Sequence, residues 1–513
     1  MIVGASPIAM SNTGVESLRT RTAGAISRFT AARPDRWYDI GLLVLAGLAL
    51  VFIWVITEIE FTPGYGFQIV PRQAYSGDGP HYLIIVNNLL FAHSLEVQGA
   101  YDRAVRGGLE AGARARRGLS DHHTILVNRR TGDHALWMYS IAGVVVRNPK
   151  EEFQRGPDVY EVPAHPIAFP ALLAAVLVPF HPSLEEVEPA VGIVLVLIGW
   201  VGTLATYFMA RRGGLSRGYA LLAAGILLLA SPWLAYCRDY FSETTIGLCL
   251  ALTLWSWSDD RPLMAAVFAA GAAILKPSFA VIGAGFLIEA IRERRLRDGL
   301  KMAIVLGVCA LALGSFNYWL AGTPLIAGSE AWPVANDLEP LHDTLLDPAH
   351  GVLVFAPWAI FAVFAIAHAF DRFDPDSAML RRMAWPMMLY LFVLAITGFG
   401  PGYCYGPRYW IPFLPWLAVA TVHALRAAGS RGRVACALLI LLAMAIAIPG
   451  VLQLSRMYSM PPSAGWHWTD DSALPTASSD RSWSAGQLRP IVQSSITRRS
   501  GYCSAMSTRV VLP

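Results

Sequence analysis

Long apolar runs alternate with short polar segments along most of the chain. A helix needs about 20 apolar residues to cross about 30 Å of hydrocarbon at about 1.5 Å per residue. Apolar runs of this kind, some of them shorter, occupy residues 38–57, 190–210, 219–236, 244–257, 263–275, 278–291, 302–320, 352–370, 383–397, 409–425 and 434–452. The pattern therefore predicts an all-α polytopic membrane protein with about eleven transmembrane helices. Two of the short runs flank Lys276 and Pro277, which fits a helix pair broken by a tight turn.

One long polar stretch, 58–164, follows the first apolar run. The next apolar segment, 165–180, is too short for a full span and contains Pro166 and Pro170, which favours an interfacial or partly buried helix. We therefore predict a cytoplasmic segment at 1–37 and a transmembrane domain at 38–453. Within that domain, 58–189 is an outer loop with juxtamembrane helices. The tail at 454–513 mixes Pro, Ser, Trp and Arg without a helical or strand period, and we predict that it is poorly ordered.

Clusters of Arg and Lys predict the orientation of the chain. Short cytoplasmic loops carry an excess of these residues. Basic residues occur before the first run and in the alternate loops at 211–217, 258–261, 292–301, 371–382 and 426–433. The amino terminus is thus predicted to be cytoplasmic, and the long loop to face the outer or periplasmic side of the cytoplasmic (inner) membrane.

The composition supports a membrane location and argues against other classes. Hydrophobic residues make up 55% of the chain and charged residues only 15%, against about 25% charged in soluble domains. A net charge of +4, spread over short loops, does not indicate a nucleic-acid partner. The six cysteines show neither CxxC nor Cys/His spacing, so the sequence supports neither a metal site nor a disulfide framework.

The long loop begins with the most informative motif, Asp78-Gly79-Pro80-His81-Tyr82. Pro80 fits a first helical turn, and the apolar residues that follow predict a helix that lies along the membrane surface. Asp78 then stands at the helix start, where it could simply cap backbone N–H groups. Its position at the head of the long outer loop makes us favour a catalytic carboxylate.

A second set of ionisable residues recurs at the outer ends of the apolar runs. Such groups are costly at a membrane edge unless they are paired or solvated, which makes them functional candidates, with structural ion pairing as the alternative. An arginine can bind the oxygens of an anionic lipid phosphate in a fork. Together with two residues of the loop motif and one tyrosine, the candidate substrate-binding residues are His81, Tyr82, Arg238, Asp239, Glu243, Lys276, Tyr405 and Arg408.

Two further groups of residues favour less specific interpretations. The aromatic residues around Arg408 are more typical of an interfacial belt than of a sugar platform; they are Tyr403, Tyr405, Tyr409, Trp410 and Trp416. Asp121, His122 and His123 have no further ligand at a convincing spacing, so no metal site is predicted there.

From about 38 to 452 the chain resembles the GT-C superfamily of polytopic glycosyltransferases, including its protein mannosyltransferase and aminoarabinose transferase branches. The features that carry the resemblance are Asp78-Gly79-Pro80-His81-Tyr82, His165-Pro166 with Pro170, a Pro-Glu-like position near Glu243, and Gly406-Pro407-Arg408-Tyr409. The resemblance implies a polyprenyl-phosphate sugar donor and a glycan, lipid or protein acceptor. Gly79 stands where many members have a second acid, which weakens the case for a divalent cation and leaves Asp78 alone.

These features predict an inverting transferase that moves a hexose or pentose. Asp78 is the expected general base, and Arg408, with Lys276 or Arg238, is expected to stabilise the leaving phosphate. His81 and Tyr82 are expected to orient donor or acceptor. The alternatives are a transporter, for which we find no internal repeat, a lipid-linked glycan polymerase or ligase, whose large outer loop usually lies late in the chain, and a non-catalytic scaffold for lipid carriers.

Overall fold

The computed structural model describes the larger part of the chain. It covers residues 44, 47, 58–62, 66–70, 78–97, 99–100, 124–128, 130–131, 134–139, 145–147, 158–184, 186–237, 239–324, 339–348, 350–371, 377–396 and 406–452. All of these residues belong to one compact unit, Met1–Pro462. The predicted segments 1–37 and 454–513, and nearly all of the predicted first span, lie outside the described residues.

Helices dominate the described ranges. In chain order they are α1 (Gly79–Asn87), α2 (Ala168–Leu177), α3 (Val187–Arg212), α4 (Arg217–Leu229), α5 (Trp233–Tyr236), α6 (Glu243–Ser258), α7 (Pro262–Leu275), α8 (Ala280–Arg292), α9 (Leu296–Ala321), α10 (Glu339–Leu346), α11 (Val352–Phe355), α12 (Ala359–Asp371), α13 (Ala378–Ile396), α14 (Leu414–Ala427) and α15 (Ser430–Leu452). Short 3-10 segments cover Val178–Phe180, Pro277–Phe279 and Arg408–Phe413, and α1 continues into a π-helical turn, Asn88–Ala92.

Every apolar run that was predicted after the first one contains helix. Four helices in the described ranges are long and apolar enough to cross a membrane, namely Val187–Arg212, Leu296–Ala321, Ala378–Ile396 and Ser430–Ile448, and shorter apolar helices accompany them. The protein is therefore a mainly helical membrane protein, whereas the number of about eleven spans stays a prediction. The short helix predicted within 165–180 is α2 with its 3-10 extension.

The segment between the first two predicted spans contains strands as well as helices, so the prediction of helices alone was wrong here. Strands β1 (Glu58–Thr62) and β2 (Gly66–Val70) form an antiparallel pair. A second antiparallel sheet has the order β5-β4-β3-β6, with β3 (Thr124–Asn128), β4 (His134–Tyr139), β5 (Val145–Arg147) and β6 (Val159–Pro163). These short segments are rich in β-branched and aromatic residues, which fit a pleated surface.

Helix α1 is enclosed by other parts of the protein, and its orientation along the membrane surface stays a prediction. Tyr82, Leu83 and Val86 are buried in the main core cluster, while Ile84 and Ile85 pack on the other side in a second cluster with Val97 and Ala100. A helix that is apolar on all sides is typical of a buried element. Because α1 is enclosed, the start of this helix is held in a fixed position.

Trp233 anchors the turn between α4 and α6. Its indole lies against two helices at glycines, since a Cβ added at Gly202 or at Gly247 would lie 2.6 Å from the ring. The indole Nε1 donates a hydrogen bond to the carbonyl oxygen of Gly199 at 3.2 Å. Small residues allow such close packing between helices. The contacts of Trp233 with both helices therefore fix the position of the amino-terminal end of α6.

Candidate active site

Four ionisable side chains meet at the ends of different elements. Arg408 Nε donates a hydrogen bond to Glu243 Oε1 at 2.7 Å, and Arg408 Nη2 forms an ion pair with Asp78 Oδ2. Lys276 Nζ donates to the same Glu243 oxygen at 3.0 Å. These contacts link Asp78, Arg408, Glu243 and Lys276 in one continuous chain of ion pairs. The formal charges of the two carboxylates and the two cations cancel.

Proline places Lys276 in this cluster. Helix α7 ends at Leu275, and Lys276 adopts extended dihedrals, φ −153° and ψ 109°. The residue before a proline is biased towards this region because the proline ring clashes with a helical neighbour. The break that Pro277 imposes between α7 and α8 therefore turns the lysine out of the helical path.

Arg408 opens a 3-10 segment behind a glycine turn. Gly406 has φ +65°, a conformation that suits glycine, and an added Cβ would lie 3.3 Å from the Phe355 ring. The Arg408 backbone N–H donates to the Gly406 carbonyl oxygen at 2.9 Å. This compact turn brings the guanidinium group back towards α6.

Glu243 is the first residue of α6 and lies one turn before Gly247. A Cβ at Gly247 would stand 3.3 Å from Pro412 Cα, so α6 and the 3-10 segment Arg408–Phe413 pack closely. The glycine thus allows the close backbone approach that brings Arg408 within hydrogen-bond distance of Glu243.

Exposure increases from the centre of the cluster to its edge. The side chain of Glu243 is 1% exposed, that of Arg408 10% and that of Asp78 18%. Glu243 Oε2 has no hydrogen-bond partner among the described residues. Asp78 is accordingly the carboxylate that a substrate can reach more readily, and Glu243 is enclosed.

Aromatic rings support both cations. The Arg408 guanidinium lies 4.0 Å from the centroid of the Phe241 ring, and Lys276 Nζ lies 4.7 Å from that of Tyr409. Cations are attracted to the negative face of such rings. Phe241 is a site residue that the sequence analysis did not single out, and its only sequence signal is its place next to the ionisable residues 239 and 243.

The loop motif contributes a second, aromatic group beside Asp78. The rings of His81 and His165 stack with centroids 4.9 Å apart, and Tyr82 meets His165 edge-on at 5.4 Å. Tyr82 also contacts Phe169 of α2 at 5.2 Å. Burial raises the pKa of the Tyr82 phenol well above its usual value, and the negative charge of Asp78 raises it further. Tyr82 therefore keeps its proton and can act as a hydrogen-bond donor.

The Asp78 side chain does not cap α1, although Asp78 occupies the cap position. The capping interpretation was therefore wrong, and the carboxylate pairs with Arg408 instead. Asp239 is buried and its Oδ1 accepts a hydrogen bond from the Tyr240 N–H at 2.8 Å.

The remaining expectations have mixed outcomes. Arg238, Tyr405 and the stretch from Asp121 to His123 lie outside the described residues. Trp410 and Trp416 are buried in the helix packing, and Trp416 Nε1 donates to the Leu250 carbonyl oxygen, so an outward-facing belt was the wrong prediction for them. Within the described ranges no group of three or more His, Cys, Asp or Glu side chains is arranged to hold a metal ion.

Comparisons with known proteins find matches among solved structures only. No protein-family model and no curated protein matches the chain. ArnT from Cupriavidus metallidurans in the apo state is 11% identical with a TM-score of 0.47, over 78% of this chain and 62% of that chain. The structure of ArnT bound to undecaprenyl phosphate is 13% identical with a TM-score of 0.44, over 81% and 64%.

A second group of matches comes from an archaeon. The oligosaccharyltransferase AglB from Archaeoglobus fulgidus, in complex with an inhibitory peptide and a dolichol-phosphate, is 13% identical with a TM-score of 0.43, over 82% of this chain and 56% of that chain. The chain spans less than two thirds of the length of each of these proteins.

Proposed function

We propose that the chain is a membrane glycosyltransferase that transfers a sugar from a polyprenyl phosphate to an acceptor with inversion at the anomeric carbon. The observation that carries the proposal is the pairing of a partly exposed carboxylate, Asp78, with two cations held on one buried carboxylate. Such a site offers a base and positive charge within one small volume. The proposal places it on the outer, periplasmic side of the inner membrane, following the distribution of Arg and Lys.

Asp78 acts as the general base in this scheme. Its carboxylate takes the proton of the acceptor hydroxyl while that oxygen attacks the anomeric carbon. The new bond to the acceptor forms as the bond between the sugar and the phosphate oxygen breaks, and the phosphate leaves with the electron pair. One base is sufficient, because the leaving oxygen already belongs to a phosphate and needs no proton.

Arg408 and Lys276 stabilise the leaving group. Negative charge develops on the phosphate during the reaction, and preformed positive charge stabilises that transition state without reorganisation. The guanidinium can present two parallel N–H groups to phosphate oxygens, whereas the ammonium acts as a point charge. Because these cations supply the charge, the proposed reaction does not require a divalent cation.

Glycan analysis of cells tests the proposal. Membrane glycolipids and polysaccharides from cells with and without the gene are compared by mass spectrometry, with complementation by wild type or Asp78→Asn. We expect one sugar to disappear without the gene and to return only with wild type. General base catalysis contributes about 10²- to 10⁴-fold, so the asparagine variant should leave turnover below detection in cells.

A matched variant controls for the loss of one negative charge. Asp158→Asn changes an exposed aspartate that pairs with the exposed Arg130, and it should restore the sugar fully. Restoration by Asp78→Asn at the wild-type level would reject the role of Asp78 as base. Unchanged glycans together with altered solute accumulation would favour a transporter instead.

A further inference from the structure

The two ends of the Arg408 guanidinium differ in how firmly they are held. The Nε end bonds to Glu243, whose side chain is 1% exposed, and the guanidinium plane rests on the Phe241 ring at 4.0 Å. The Nη2 end pairs with Asp78, whose side chain is 18% exposed. The pair with Asp78 is therefore the one that an incoming ligand can reach and replace.

In this arrangement, Asp78 and a lipid phosphate compete for the same N–H groups of Arg408. A lipid phosphate needs guanidinium N–H groups for a strong charge-assisted contact. Those at Nη2 already face the carboxylate that the proposed reaction uses as its base. While the pair persists, a lone pair of Asp78 is engaged by a cation, so the carboxylate is a weaker acceptor for a proton.

We propose that the donor phosphate replaces Asp78 on Arg408 and thereby releases Asp78 to act as a base. Glu243 and Phe241 hold the Arg408 guanidinium in place during the exchange, and Lys276 provides a second contact for the phosphate. The base thus becomes available only after the donor is bound, which sets the order of donor before acceptor. This inference rests on the proposed function, since it assigns a phosphate-bearing ligand to the same site.

The exchange leads to an expectation opposite to that for an ordinary binding residue. If Asp78 competes with phosphate for Arg408, removal of its charge should tighten phosphate binding although it abolishes turnover. The cluster has no net formal charge with Asp78 ionised and gains one positive charge in Asp78→Asn. A hydrogen bond to a charged group is worth about 1.5–3 kcal/mol, which corresponds to a gain in affinity of about tenfold to a hundredfold.

The test measures binding of a polyprenyl phosphate without sugar to the full chain in lipid nanodiscs. The proteins are wild type, Asp78→Asn, Asp158→Asn and Arg408→Gln, each checked for folding by thermal unfolding, with Asp78→Ala as the second variant if the asparagine variant does not fold. We expect Asp78→Asn to bind at least about tenfold more tightly than wild type. Asp158→Asn should match wild type within about twofold, because this exposed aspartate pairs with Arg130. Arg408→Gln should lose most of the binding.

Inorganic phosphate as a competitor separates the two sources of the ligand. We expect it to compete weakly and to gain affinity in Asp78→Asn as well, since the exchange takes place on the phosphate group. A gain for inorganic phosphate but none for the lipid would overturn the assignment to a lipid donor. Equal or weaker lipid binding by Asp78→Asn would overturn the exchange alone and leave the proposed transferase standing. If neither wild type nor any variant binds the polyprenyl phosphate, both the exchange and the proposed function fail.

Discussion

At the scale of single residues, Glu243 has the most demanding environment in the cluster. One oxygen of this enclosed carboxylate accepts hydrogen bonds from both Arg408 and Lys276. The two cations would repel each other without the negative charge between them. The site therefore needs the charge of Glu243 for its structure, independently of any role that Glu243 has towards a substrate.

Glu243→Gln should lower the stability of the protein. The amide keeps the shape of the side chain but removes the charge, and breaking a buried ion pair costs about 3–5 kcal/mol. Because Lys276 is one-fifth exposed, at 21%, we expect the lower end, about 3 kcal/mol. Thermal unfolding of the purified protein in detergent measures the effect as a lower Tm.

The control for Glu243→Gln is Asp259→Asn, which removes a carboxylate from a more exposed pair with Arg212. Exposed pairs contribute about 0–1 kcal/mol, so the Tm of this variant should stay close to that of wild type. Equal Tm values for Glu243→Gln and wild type would show that the charge of Glu243 does not hold the cluster together.

The sequence could nominate these residues but not pair them. Glu243, Lys276 and Arg408 were candidates because ionisable groups are costly at a membrane edge, and Asp78 was one because of its position at the head of the long outer loop. The partners of Arg408 lie 165 and 330 positions away in the chain, which no local pattern connects. Phe241 looks like any core residue in the sequence, and only the fold reveals that the guanidinium lies against its ring.

At the scale of elements, glycines decide how closely the helices pack. Gly285 of α8 faces α13 at its internal proline, and an added Cβ would lie 2.5 Å from both the nitrogen and the Cα of Pro386. The backbone of α13 cannot yield as a flexible side chain would. Gly285 is thus a point where the two helices are in direct backbone contact.

Gly285→Ala should force α8 and α13 apart and destabilise the protein. Overpacking of this kind costs about 1–3 kcal/mol. Gly225→Ala in α4 is the matched control, because its added Cβ would meet nothing within 4 Å. Alanine is favoured over glycine in a helix by about 1 kcal/mol, so the control should keep or raise the Tm. A Tm for Gly285→Ala at or above that of Gly225→Ala would refute the close contact.

The positions of the helices agree with the hydrophobic pattern wherever the apolar runs are long. Each apolar run after the first produced helix, because a run of ten or more apolar residues has few other structures in a membrane. The strands β3 and β6 were missed because they are five residues each and lie in a segment dominated by polar residues. Their pairing depends on a register that spans more than thirty positions, which the sequence alone does not reveal.

At the scale of the whole molecule, the side of the membrane on which Asp78 lies depends on the span count before α3. Helix α2 is ten residues long and contains Pro170, so it is too short to cross about 30 Å of hydrocarbon. Asp78 and Ser183, which precedes α3, should therefore lie on the same side. From the basic residues Arg211 and Arg212 in the last turn of α3, we predict that its far end is cytoplasmic.

Single cysteines at Ser183 and Ser430 test this orientation in a background without the native cysteines. Both serines are exposed, and Ser430 opens α15 within the basic segment 426–433. A membrane-impermeant maleimide should label Ser183→Cys in intact cells and Ser430→Cys only after the membrane is opened. Complementation of the glycan phenotype by each variant controls for correct folding. The reverse labelling pattern would place Asp78 in the cytoplasm, where the proposed transfer on the outer face could not take place, whereas the expected pattern leaves the donor phosphate and Asp78 on the same outer side.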